Sequence, residues 1–337
     1  MYHSRFKKNH YDAGYTWGSL LYKHNVDLKN NVMFAQDKQR KRFALECLPI
    51  YKAWFPEVLQ EIKGIADGSN VPEDMLQTFL LGMYCFTFDN HCTCMVCADD
   101  EHILLGRNSD FLVHLEKQYD SCYYHYDDRI PFIGNTTAFT EMEDGINAYG
   151  LAIGLTFIGP TPSVRKPGFQ AGMLVRYLLE TCHNVKEALS ILHQIPIGSA
   201  QTLTMADPSG SMIIVECNSE KVMEIKSIRE QHPFVATANN FHTKDMQDYQ
   251  RHDLDDWRSK ERYQNAYHAL NDAKQYSFSL IQDILSGKHG FMCQYDRSTN
   301  ADTVWSCIYD LKNKKIYRCE GNPGRRSFKE DHRLTFL

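Results

Sequence analysis

Apolar positions recur at helical spacing through the first part of the chain and then give way to short alternating runs, which predicts a helical N-terminal segment leading into sheet. Residues 1–37 are polar and rich in Asn, with one amphipathic patch formed by Tyr15, Trp17, Leu20, Leu21 and Tyr22. Phe43, Leu45, Leu48, Trp54, Phe55, Val58, Leu59, Ile62 and Ile65 predict helices between residues 39 and 65. Breaks are expected near Pro49 and Pro56, because proline removes a backbone donor and crowds the preceding turn. The glycines of residues 64–69 predict a turn, and Pro72, Glu73 and Asp74 open a further helix to about residue 84, acids first as the helix dipole favours.

Residues 89–111 read DNHCTCMVCADDEHILLGRNSDF, and the rest of the chain is organised around them. The runs 93–96 and 103–105 flank an acidic turn at Asp99 and Asp100 and predict a β-hairpin. A loop symmetric about those two aspartates sets Cys92 opposite Arg107, where Cβ atoms of a directly opposed pair lie roughly 4.5 to 5.5 Å apart. Beyond an aromatic-rich stretch at 119–128, GINAYGLAIGLTFIG at 145–159 predicts a turn and then a buried strand. Helices follow at 168–181 and 185–195, the second capped by Asn184 with Glu187 three residues on. Short strands at 202–205, 212–216, 222–228 and 234–238 predict an antiparallel meander, followed by helices at 257–273 and 277–285 and a closing hairpin of 304–310 with 315–319. Strands gathered in sheets with helices stacked outside make one compact α+β domain, with the helical segment packed against it.

Composition narrows the partners rather than the fold. Hydrophobic residues are 43% and charged residues 23% of 337, the balance of an ordinary globular protein. The net charge of -5 argues against nucleic acid or an acidic membrane surface, which need clustered Lys and Arg, and the basic runs at 38–42 and 325–326 are short solvated stretches. The first residues lack the apolar core of a secretory signal, and no segment approaches the roughly 20 apolar residues of a membrane span. Eleven scattered cysteines, an odd number, do not form a disulfide framework and fit reduced thiols in the cytoplasm.

The hairpin carries the candidate chemistry. His91, Cys92, Cys94 and Cys97 have the right ligand types for zinc, but no distant second pair completes a site, and alternation sends Cys92 and Cys94 to one face and Cys97 to the other. Cys94 and Cys97 are therefore core residues and no metal or cofactor is expected. Cys92 has a cation, Arg107, and a carboxylate, Asp110, at the same mouth of the hairpin, and a nearby guanidinium favours thiolate over thiol. A salt bridge at the sheet edge is the plain alternative. No histidine stands in a protease-like pattern with this cysteine, which leaves its own α-amino group as a base near neutrality if Cys92 becomes an N-terminus.

The segments PEVLQEIKGIADGSNVPEDMLQTFLLGMY at 56–84, CTCMVCADDEHILLGRNSDF, GINAYGLAIGLTF, VATANNF at 235–241, SKERY at 259–263 and TVWSCIYD at 303–310 stand in one order over most of the chain. In that order they resemble the acyl-coenzyme A:6-aminopenicillanic acid acyltransferase family, relatives of choloylglycine hydrolase and acid ceramidase-like amidases among the N-terminal nucleophile hydrolases. The resemblance implies a four-layer αββα sandwich made as a precursor, with residues 1–91 as a propeptide-like segment and 92–337 as the core, cut between His91 and Cys92. It implies Cys92 as nucleophile, Arg107 as its cation, Asp110 as the group orienting the α-amine, Asn239 as oxyanion donor and Arg262 in the same pocket. His91 stands where the acyltransferases have glycine, and Thr156 stands where the bile-acid hydrolases carry asparagine, so a backbone N–H or the Thr156 hydroxyl is the expected second oxyanion donor. The implied substrate is a small-molecule acyl amide, an acylated amino acid before a bile salt, with acyl-coenzyme A or an amine as a further partner and a homo-oligomer left open. An uncut, catalytically silent binding protein on the same fold is the alternative.

Overall fold

The computed structural model describes the chain except for residues 33, 35, 87–89 and 228, so the ends of two expected stretches, Asp89 and Ile228, lie outside the described residues. Strand β1 (Arg5–Lys8) and helices α1 (His10–Lys23), α2 (Leu28–Asn31), α3 (Lys38–Trp54), α4 (Pro56–Ser69) and α5 (Glu73–Leu80) precede the hairpin β2 (His91–Ala98) and β3 (Ile103–Leu112). Then come β4 (Asp120–Tyr126), β5 (Phe132–Thr136), β6 (Asp144–Asn147), β7 (Ala152–Phe157), α6 (Ala171–Thr181), α7 (Val185–Leu192), β8 (Gln201–Ala206), β9 (Met212–Cys217), β10 (Val222–Ile225) and β11 (Phe234–Thr237). Short α8 (Lys244–Gln247), α9 (Ser259–Asp272), α10 (Phe278–Leu285), β12 (Ala301–Asp310), β13 (Lys315–Cys319) and β14 (Lys329–Glu330) complete the chain.

The strands form two sheets, in the orders β1-β4-β5-β6-β7-β8-β9-β10 and β11-β2-β3-β12-β13-β14. Alternation along each strand splits its side chains between two apolar layers. Cys94, Val96 and Leu105 of the second sheet meet Ile133, Ile146 and Ile214 of the first between the sheets, while Met95, Cys97 and Leu104 turn the other way onto Ala266 and Leu270 of α9 and Ile281 of α10. The outer face of the first sheet is covered by Leu174, Leu178 and Leu179 of α6 against Ile153, Leu155 and Leu203. Helix, sheet, sheet, helix is the αββα sandwich expected. Among the described residues no helix is long and apolar enough to cross a membrane.

Several local expectations change once the elements pack. Pro49 does not break α3 but lies inside it, and the carbonyl it leaves unpaired belongs to exposed Leu45. Residues 64–69 are not a turn but the end of α4, because Gly64 and Gly68 face Gly14 and Gly18 of α1 at a helix crossing where backbones touch. A methyl group added to Gly14, Gly18, Gly64 or Gly68 would strike the carbonyl oxygens of Glu61, Ile65, Tyr11 or Tyr15 respectively. The first residues, expected to be helical only, also supply β1, which pairs in parallel with β4. Residues 144–147 form a strand rather than only a turn, and Gly150 at φ +87 makes the reversal into β7. The meander ends at β10, since β11 crosses to the other sheet and pairs with β2. The cap at Asn184 is as expected: its Oδ1 accepts from Glu187 N at 3.0 Å, while the Glu187 carboxylate turns back to His183 N at 2.8 Å.

The crossing of α1 and α4 predicts an asymmetry between glycines. Gly14→Ala should lose about 3 kcal/mol or more in urea unfolding, because backbone must move to admit the methyl. Gly210→Ala, at φ +87 with nothing within 4 Å, should lose only about 1 to 2 kcal/mol from its left-handed backbone. Equal losses at the two positions would show that the helix crossing is not close-packed.

Candidate active site

Three elements place side chains on three different atoms of Cys92, which is fully buried on β2. From β3, Arg107 brings its Nη2 to 2.8 Å from Sγ. From the end of β11, Asn239 Oδ1 accepts the Cys92 backbone N–H at 2.9 Å. From the first turn of α9, Arg262 Nη1 donates to the Cys92 carbonyl at 2.7 Å and to Thr93 Oγ1 at 2.8 Å. The thiol donates to Asn90 Oδ1 at 3.0 Å.

The hairpin reaches this geometry by a different register from the one expected. Asp99 N–H donates to the His102 carbonyl, and the Asp99 side chain accepts from Glu101 N and His102 N, an Asx arrangement that lengthens the loop. Cys92 therefore pairs with Ser109, and Arg107 pairs with Cys94. The slip is by an even number of positions, so Arg107 keeps the face of Cys92 and its long side chain reaches the sulfur diagonally. The expected shift toward thiolate is also reversed in this closed site. Burial pushes the Cys92 thiol up, and Glu143 and Asp110 add to the rise, against the downward pull of Arg107 and Arg262.

Asp110 sits one step further along the ladder, opposite His91. Its oxygens accept from Thr303 Oγ1 at 2.5 Å and Tyr295 OH at 2.9 Å, with Arg262 Nη1 at 3.5 Å, while the Cys92 nitrogen goes to Asn239 instead. Burial lifts this carboxyl from 3.8 to about 6 in spite of Arg262. The Asn239 side chain donates one amide hydrogen to the Phe157 carbonyl at 2.8 Å and accepts from Arg262 Nη2 at 2.9 Å, which leaves its second amide hydrogen for a ligand. Its backbone N–H is held by Ser259 Oγ at 2.8 Å. Asn240, beyond the end of β11 at Thr237, lines the same cleft as Asn239. Thr156 is spent on structure: its hydroxyl bonds the Ala238 carbonyl at 2.8 Å and Thr202 Oγ1, and its single hydrogen is committed there.

Sequence reasoning missed the residues whose roles depend on packing between elements. Glu143 accepts from Arg107 Nη2 at 3.1 Å and Ser109 Oγ at 2.9 Å, and Asp144 from Arg107 Nη1 at 2.8 Å. Trp257 and Arg258 both adopt left-handed backbone, φ 49 and 60, just ahead of α9. That strained turn presents the Trp257 carbonyl to Arg262 Nε at 3.0 Å and its ring to His91, stacked at 4.5 Å between centroids. His91 is 7% exposed with neither ring nitrogen hydrogen-bonded among the described residues, and burial, with Arg262 beside it, pushes the imidazole well below its usual range. It lines a cleft with Phe157, Asn239, Asn240, Leu254 and Asp255. Among the described residues no group of His, Cys, Asp or Glu is arranged to hold a metal ion.

A family model, acyl-coenzyme A:6-aminopenicillanic acid acyl-transferase, matches residues 96–325, more than half of the chain. The match spans Arg107, Asp110, Thr156, Asn239 and Arg262 and begins just after Cys92. Among solved structures, the chain is similar to penicillin V acylase from Agrobacterium tumefaciens, at 14% identity over 68% of this chain and 82% of that one, with a TM-score of 0.43. It is similar to the Caenorhabditis elegans ortholog of N-acylethanolamine-hydrolyzing acid amidase at 15% identity, 66% and 93% coverage and a TM-score of 0.47. It is also similar to a mutant of conjugated bile acid hydrolase from Clostridium perfringens at 14% identity, 73% and 98% coverage and a TM-score of 0.42. No curated protein matches the chain.

The buried Asp110 carboxyl predicts a pH signature. Its folded value lies above its unfolded one, so protonation stabilises the fold, and that contribution is lost as pH rises through about 6. Asp110→Asn cannot titrate, so its stability relative to wild type should rise by about 3 kcal/mol between roughly pH 4 and pH 7. Urea unfolding of both proteins across that range checks it, and a constant difference would mean that Asp110 is not held protonated by burial.

Proposed function

Because the chain belongs to the acyl-coenzyme A:6-aminopenicillanic acid acyltransferase family, we propose that it is a cysteine enzyme of the N-terminal nucleophile type that cleaves or transfers the acyl group of a linear, non-peptide amide. What carries this reading is the convergence on Cys92, whose sulfur, nitrogen and carbonyl oxygen are bonded by Arg107, Asn239 and Arg262 from three separate elements. A cut between His91 and Cys92 converts the nitrogen on Asn239 from an amide into an α-amine without moving its partner. The amine takes the thiol proton, the thiolate attacks the substrate carbonyl, and the amine returns the proton to the leaving nitrogen. A thioester results, released to water or to an acceptor amine. The free amide hydrogen of Asn239 faces the charge that develops on the carbonyl oxygen. Asp110 acts through Arg262 and the strand around His91, and Arg107 steadies the thiolate once the site opens.

The substrate in this reading is a small acyl amide, an acylated amino acid before a bile salt, because the segment ahead of Cys92 resembles the acyltransferase branch, with acyl-coenzyme A or an amine as second substrate. The eleven unpaired cysteines support a reducing, cytoplasmic setting. A second reading, an uncut and silent binding protein, draws on the His91 ring stacked on Trp257, beside a Cys92 that solvent does not reach.

Intact mass separates the two readings. Wild type should give two fragments meeting at His91 and Cys92, and Cys92→Ala a single chain; wild type and variant both intact would remove the α-amine mechanism. On an accepted amide, Asn239→Ala should lower kcat by about 100-fold to 1000-fold with little change in KM, as for other single oxyanion donors. Asn240→Ala, which alters only the cleft wall, should act on KM, and the reverse pattern would exchange their roles.

A further inference from the structure

Glu143 has no part in the turnover scheme above, yet it shares one guanidinium nitrogen with the proposed nucleophile. Arg107 Nη2 bonds Cys92 Sγ at 2.8 Å and Glu143 Oε2 at 3.1 Å. The Ser109 hydroxyl, on the residue paired with Cys92 in the ladder, donates to the same carboxylate oxygen at 2.9 Å. The backbone of Glu143 is pinned on both sides, N–H to the Asn135 carbonyl at 2.8 Å and carbonyl to Leu155 N at 2.9 Å. Its side chain is fully buried, and Oε1 has no hydrogen-bond partner among the described residues. A buried carboxylate oxygen left without a partner calls for an explanation, since such groups are normally satisfied.

An intact chain poses a problem of proton transfer. The α-amine does not yet exist, because the Cys92 nitrogen is still an amide bonded to Asn239. The thiol hydrogen points at an amide oxygen of Asn90, which is too weak a base to keep it. Asp110 has both oxygens engaged by Thr303 and Tyr295. We propose that Glu143 is the proton acceptor for Cys92 in the intact chain and so drives the cut at His91 that creates the mature amine. The proposal rests on reading Cys92 as the nucleophile.

The charges favour this route over loss of the proton to solvent. Around Arg107 stand Cys92, Glu143 and Asp144, with Glu141, Tyr84 and Tyr119 also facing Glu143. Releasing the thiol proton to water would leave three anions on one guanidinium in a dry interior. Moving it to Glu143 keeps the total charge constant and shifts the negative charge from one acceptor of Nη2 to the other. In the step itself the S–H bond breaks and an O–H bond forms on Glu143. The sulfur lone pair then attacks the His91 carbonyl carbon, whose π pair moves to oxygen. Collapse breaks the His91–Cys92 C–N bond, the nitrogen takes the proton back from Glu143, and water hydrolyses the thioester to a His91 carboxyl group and a free thiol.

The test follows cutting of the full chain by intact mass in wild type, Glu143→Gln and Glu143→Asp as a function of pH, with melting temperature recorded for each. Wild-type cutting sets the reference rate at each pH. Glu143→Gln should remain folded and cut at least about 100-fold more slowly at every pH, in line with loss of a general base. Glu143→Asp, which keeps a carboxylate, should recover most of the rate. Wild-type cutting in Glu143→Gln overturns the proposal while leaving Cys92 as nucleophile. A folded Glu143→Asp that does not cut, or failure of both variants to fold, assigns Glu143 to structure alone and also overturns it. An intact wild type sinks the underlying processing step, an outcome visible before any variant is made.

Discussion

A guanidinium buried between two sheets has to find its acceptors from both, and Arg107 does so. It leaves β3 in one sheet and donates to the Leu155 carbonyl at 2.9 Å and to Asp144 at 2.8 Å in the other. Asp144 in turn holds Trp305 Nε1 at 3.0 Å and Tyr309 OH at 2.6 Å, both from β12, so the bond network passes back across the interface. Removing one partner from such a buried pair typically costs about 3 to 5 kcal/mol, because the other charge is stranded. The same cation touches the sulfur of Cys92. Sheet packing and the surroundings of the Cys92 thiol therefore depend on one side chain, and the sheets cannot slide without moving the thiol's partner.

A second buried ionic cluster ties the first 91 residues to the rest. Glu61 on α4 accepts from Arg176 on α6 at 2.7 Å and from Tyr126 OH at 2.9 Å, and His10 on α1 meets Glu180 at 2.9 Å. The close crossing of α1 and α4 makes these two helices one unit, and β1 adds backbone pairing to β4. Severing the bond before Cys92 would thus leave the N-terminal segment seated by a strand, a helix pair and buried charges. Opening of the site would then involve the short stretch around Asn90 and His91 rather than departure of the whole segment.

How much of this was legible in the sequence follows from the range of each interaction. The α+β character and most strands were readable because alternation and turn residues act locally, whereas the four-layer αββα order came from the family resemblance, as did the choice of Asn239 and Arg262, which the structure brings beside Cys92 and Arg107. The glycines of α4 misled because a helix crossing and a turn both ask for a residue without a side chain, and only the partner helix distinguishes them. The hairpin register slipped because the Asp99 side chain, rather than the acidic pair as a whole, sets the loop. Glu143 and Trp257 carried no signal. Each matters through something distant in sequence, a guanidinium from the other sheet for one and the ring before Cys92 for the other.

The raised thiol and the proposed cut bear on each other. In the intact chain the buried Cys92 thiol donates to Asn90, and burial outweighs two arginines in keeping the proton on sulfur. Desolvation is the largest of those influences, so exposing the sulfur weakens the hold on the proton, while the bond from Arg107 is fixed by Asp144 and stays. Under the proposed reading, one broken bond then has two consequences. It supplies an amine where only an amide stood, and by freeing residues 90 and 91 to move it lets water and substrate reach a sulfur whose counter-cation is already in place. Outside the proposed transfer to Glu143 the thiol stays neutral and has little reactivity to lose while the chain is being made, because thiolate is the nucleophilic form.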